Sequence, residues 1–130
     1  MTRVRNLVIG ALLGLLVWLI LGQLEKRVAL YLLALFLSAT GAVYPGAALA
    51  DPGRKAGPIE VTVFILMFAA SVSGLVASPI WLAVGYAAHG IWDVFHEPHR
   101  VGAKIVKWFP PLCLSFDLVV AAFILVRFAR

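Results

Sequence analysis

Residues 89–99 carry five protonatable side chains, His89, Asp93, His96, Glu97 and His99, at the end of an apolar segment, and these include all three histidines of the chain. The whole sequence is 63% hydrophobic and only 13% charged. Imidazoles and carboxylates are expensive inside or at the edge of a bilayer, so each must find a partner or serve a function. On a helix, His89, Asp93 and His96 stand at i, i+4 and i+7 and leave from a stripe about 60° wide. Two imidazoles and a carboxylate are therefore expected to converge. A further carboxylate, Asp117, interrupts the apolar run 112–126 with no basic residue beside it, so its partner must come from another helix, and a histidine is the available one. Cys113, one turn before Asp117 on the same face, and Glu97 or His99 complete a six-group pocket.

Three chemistries suit this set. Neutral imidazoles and carboxylates bind zinc, iron or manganese, and three protein ligands with an open position let a metal activate water or hold a substrate. His89, Asp93, His96 and Asp117 are the candidate ligands, and also the candidate acid and base groups, with Cys113 and Glu97 around them. The same residues would serve as an interhelical hydrogen-bond network with no catalytic role, or would pass protons or ions. Tyr44, Glu60 and Thr62 fall on the same side of the membrane. Glu60 in a first helical turn equally suits the helix dipole, and Tyr44, ahead of Pro45, equally suits an anchor at a kink. Trp92 is a candidate wall of the pocket.

Other chemistries are set aside. One cysteine excludes an internal disulfide and four-cysteine metal frameworks. Three histidines are too few for the repeated histidine boxes of membrane di-iron enzymes. Ser115 points about 160° away from Asp117, which leaves a Ser-His-Asp hydrolase without its serine, and there is no glycine-rich phosphate loop. The net charge of +5 is scattered through short connections, where topology and anionic lipid account for it, so nucleic acid is not an expected partner.

The elements that must position these residues are apolar segments at 6–22, 28–50, 59–77, 79–95 and 109–128. With a mean hydropathy of +1.02 and runs suited to about 30 Å of hydrocarbon, they predict an all-α transmembrane bundle of about five spans in a single domain, 1–130. The first segment begins like a signal peptide but lacks a small-residue cleavage site, and is read as a retained helix. Its apolar stretch is short for a crossing, so tilt or local thinning is expected. Arg3, Arg5, Arg54, Lys55, Arg100, Lys104 and Lys107 fall on the side of the N-terminus, against Lys26, Arg27, Arg127 and Arg130 on the other, which favours a cytoplasmic N-terminus. Pro98 disfavours helix at Glu97, so the fourth segment should end near His96. His89 then lies about 10 Å from that end, and Asp117 lies at the same depth in the returning fifth segment. Small residues such as Gly10 with Gly14, Ser71 with Gly74, and Gly85 with Ala88 mark close helix packing.

Trp81-Leu-Ala-Val-Gly-Tyr-Ala-Ala-His89-Gly-Ile-Trp-Asp93-Val-Phe-His96, followed by Trp108-Phe-Pro-Pro-Leu-Cys113-Leu-Ser-Phe-Asp117-Leu-Val-Val-Ala-Ala, resembles a family of small bacterial multi-span proteins classified as a domain of unknown function. The resemblance covers most of the second half, with a weaker echo at Val43-Tyr-Pro-Gly-Ala-Ala. It implies a multi-pass protein of the bacterial inner membrane and no established reaction. The chain is more loosely similar to membrane hydrolases that hold zinc with three histidines and an aspartate. The leading expectation is a membrane protein with a His/Asp pocket near the cytoplasmic face, metal-dependent and acting on a lipid-like substrate. The alternatives are a non-enzymatic subunit, self-associated or joined to membrane partners, and a proton- or ion-handling protein.

Overall fold

A computed structural model describes residues 2–51, 55–97 and 101–129. Arg54, Pro98, His99, Arg100 and Arg130 lie outside the described residues, and with them the pocket role of His99 and part of the charge count. All the regular structure among the described residues is helical, with no strand: α1 (Thr2–Gly22), α2 (Lys26–Gly41), α3 (Val43–Ala50), α4 (Gly57–Val76), α5 (Ile80–Phe95) and α6 (Phe109–Phe128).

Four stretches, Thr2–Gly22, Lys26–Ala50, Gly57–Val76 and Phe109–Phe128, are long and apolar enough to cross a membrane. The first is longer than its apolar content suggests. Its 21 residues extend about 32 Å because the polar turn around Arg3 and Arg5 is helical too. By contrast α5 has 16 residues, about 24 Å, less than a full hydrocarbon thickness. It packs on α6, α4 and α2, while Trp81, Val84 and Ile91 face outward.

Proline sets the local breaks. Pro45 has no N–H to return to the Gly41 carbonyl, and the helix that would have run through 26–50 is interrupted at Ala42, whose N–H bonds both Ser38 and Ala39. Pro58 and Pro110 stand in the first turns of α4 and α6, where a missing N–H costs nothing. The helix of 80–95 ends at the His96 cap, as Pro98 requires.

Small residues set the approaches. A Cβ on Gly10 would run into the Leu112 carbonyl and the Ser115 hydroxyl, and one on Gly14 would meet Val119 and Phe116. α1 and α6 therefore lie side by side and run in the same direction, and Arg127 near the end of α6 donates to the carbonyls of Leu21, at the end of α1, and Leu24, in the turn that follows. Gly85 brings α5 against Leu37 and Ala70. The core between the helices is made by Leu33, Leu37, Leu82, Val120, Phe123 and Ile124, while Leu12, Leu19, Leu66 and Phe68 face outward.

Candidate functional site

The C-terminal half of α5 and the N-terminal half of α6 meet through Gly90, where a Cβ would sit 3.4 Å from the Asp117 Cβ. With no side chain between the helices at that level, His89 reaches across: its Nδ1 lies 2.7 Å from Asp117 Oδ2. The same Nδ1 lies 3.6 Å from Asp93 Oδ2, one turn further along α5. The expected match in depth between His89 and Asp117 is thus met by direct contact. One ligand atom from each of His89, Asp93 and Asp117 falls within 4.8 Å of the other two, and all three side chains are at most 1% exposed.

Tyr44 is the fourth member. Placed just beyond the break at Ala42, its hydroxyl donates to Asp93 Oδ1. That bond turns the other carboxylate oxygen, Oδ2, toward His89. Asp93 Oδ2 and His89 Nε2 are both buried without a hydrogen-bond partner. Cys113 is buried one turn before Asp117.

His96 does not join this group. Its Nδ1 is 2.9 Å from the Trp92 carbonyl, which can only accept, so that nitrogen carries a hydrogen and donates. Its Nε2 is 2.7 Å from Glu60 Oε1. Both ring nitrogens have hydrogen-bond partners, and His96 lies outside the group of His89, Asp93 and Asp117 whose ligand atoms converge. Glu60, in the first turn of α4, also accepts from the Ala103 N–H at 2.8 Å and from Trp92 Nε1 at 3.1 Å. The dipole reading of Glu60 and its place among the polar residues are therefore compatible, and Trp92 serves this second cluster. Gly102, with φ of 84°, folds the following loop onto it, and a Cβ there would strike Glu60 and His96. The two clusters touch through Tyr44, whose ring stacks on that of His96 with centroids 3.8 Å apart and 15° between planes.

The remaining expectations sort by position. Glu97 accepts from Arg3 Nε at 2.7 Å and ties α5 to the start of α1. Thr62 bonds the Pro58 carbonyl on an exposed face. Ser115 bonds back to Pro111 and Leu112, consistent with its turning away from Asp117. Tyr44 and Glu60 prove to be central. The available signal was their polarity at span ends on the side of the histidines; their partners depend on how α3 and α4 pack.

His89, Asp93 and Asp117 are the group whose ligand atoms lie close enough together to hold a metal; the 2.7 Å contact of His89 Nδ1 with Asp117 is a hydrogen bond, and Nε2 is the imidazole nitrogen without a partner.

The chain matches the model of a family of unknown function over residues 5–129. It belongs to that family, DUF6010. The match extends well beyond the second-half motifs that carry the resemblance in the sequence. No curated protein and no solved structure matches the chain.

Proposed function

We propose that this DUF6010 protein is a membrane-embedded metalloenzyme in which His89, Asp93 and Asp117 hold a divalent cation, zinc, iron or manganese, and leave a coordination position for substrate. The observation that carries the reading is Asp93 Oδ2, a buried carboxylate oxygen with no hydrogen-bond partner, 3.6 Å from His89 Nδ1. A buried acceptor left unsatisfied costs about 1–3 kcal/mol, more when charged. Two ionised carboxylates facing one imidazole would carry a net negative charge, which a divalent cation offsets. A metal in this place supplies Lewis acidity and an activated water. Tyr44 holds Asp93 in the orientation required, and the buried setting excludes bulk water. The substrate class is lipid-like, because the outward faces of α1 and α4 are apolar and the bilayer is the medium they suit. The domain is the whole chain, lying in a bacterial inner membrane with the cluster toward the cytoplasm.

The test is elemental analysis of detergent-purified protein beside Asp117→Asn and His89→Ala. About one metal per chain in the wild type, lost in both variants while they remain folded, is expected. A folded wild type that stays metal-free after incubation with zinc, iron and manganese overturns the reading. That result would favour a second one, supported by the 2.7 Å His89–Asp117 bond, in which the cluster only clasps α5 to α6 in a non-enzymatic subunit.

A further inference from the structure

A cavity of about 200 Å³ lies between α1, α2, α5 and α6, lined by Val17, Ile20, Leu32, Phe36, Tyr86 and Phe116 among others. Its wall is almost wholly apolar. α1 packs chiefly on α6, whereas α2 packs on α4 and α5, so α1 and α2 leave a gap. Ile20 and Leu32 border it, 53% and 43% exposed, on the outer apolar surface of the bundle. In its wall, Tyr86 is three residues before His89 on α5 and Phe116 directly precedes Asp117 on α6, while the side chains of the polar cluster do not line the cavity.

We infer that this cavity receives one hydrocarbon chain of a bilayer lipid, entering between α1 and α2. The tail site rests on the cavity; its use in holding a lipid-like substrate rests on the proposed metal centre. Water is a poor occupant, since apolar cavities stay dry. At this depth the apolar material on hand is the lipid tail itself. The volume is below the roughly 300–1,000 Å³ of a pocket that encloses a whole drug-sized ligand, so the cavity admits one segment of a chain while the remainder stays in the bilayer.

The test uses the full chain in lipid nanodiscs with a diazirine-bearing palmitic acid, the adducts mapped by peptide mass spectrometry and metal measured in the same samples. Adducts at Ile20, Leu32 and Phe36 should exceed those at the outward-facing Leu66 and Phe68 by about tenfold, and Ile20→Trp, which fills the mouth from a half-exposed position, should abolish the excess with metal content unchanged. Adducts spread evenly over the outer surface, or an excess that survives Ile20→Trp, overturn the inference. So does exclusion of the probe from the cavity by a second copy, read as disulfide-linked dimers of Ile20→Cys. A metal-free protein that still labels in the cavity supports the tail site and defeats the metal centre; a metal-loaded protein that does not label defeats the tail site alone.

Discussion

Tyr44→Phe is a sensitive probe of the site because it removes one oxygen and little else. The ring keeps its stacking on His96, 3.8 Å between centroids, while the donor to Asp93 Oδ1 disappears. Both partners are at most 1% exposed, so water does not replace the bond. Hydrogen bonds to charged groups contribute about 1.5–3 kcal/mol. Loss of a group that orients a metal ligand lowers metal affinity about 10–100-fold, which is about 1.4–2.7 kcal/mol, so the two routes give the same size. The assay is competitive titration of metal against a chelating dye, with thermal unfolding of the metal-free protein alongside. A double-mutant cycle with Asp93→Asn separates orientation from general packing: the effect of Tyr44→Phe on metal-free stability should shrink when Asp93 is already replaced. Wild-type metal affinity in Tyr44→Phe, or a stability loss unchanged by Asp93→Asn, refutes the claim that the hydroxyl aims Asp93 at His89.

His96→Ala should retain the metal, because both nitrogens of that ring are already engaged, and should increase hydrogen exchange at the Ala103 amide, whose acceptor Glu60 loses its main partner; loss of metal in this variant would place His96 in the centre after all. Gly102→Ala should lower stability by about 1 kcal/mol or more, from its positive φ and the overlap with Glu60 and His96, and a thermal midpoint equal to the wild type would contradict that placement. Gly10→Leu should separate α1 from α6, at a cost of about 1–3 kcal/mol for overpacking, with the metal retained in whatever fraction folds, as measured by size-exclusion chromatography with elemental detection. Chelation of the bound metal should lower the unfolding midpoint, since a ligand at 100 times its Kd stabilises by about 2.7 kcal/mol; a midpoint insensitive to chelator would speak against a bound ion.

The apolar runs determined the helices, because in hydrocarbon every backbone polar group must be satisfied within its own segment, and helix is the one open choice. Depth was legible for the same reason: a fixed rise of 1.5 Å per residue carries His89 and Asp117 to one level from the ends of their helices, whatever else surrounds them. The glycines at 10, 14 and 85 announced close approaches, and those approaches are present. What helical spacing conveys is direction around an axis, not the neighbour across from it. His89 and His96 leave α5 within one stripe, yet they stand about 10 Å apart along it, so the first meets α6 and the second meets α4 and the loop folded back at Gly102. Tyr44 reaches Asp93 from just past the interruption at Ala42, where α3 packs on α4. The partition of one apparent histidine cluster into a candidate metal centre and a loop clasp was decided by tertiary packing, which alone chooses the oxygen that each imidazole faces.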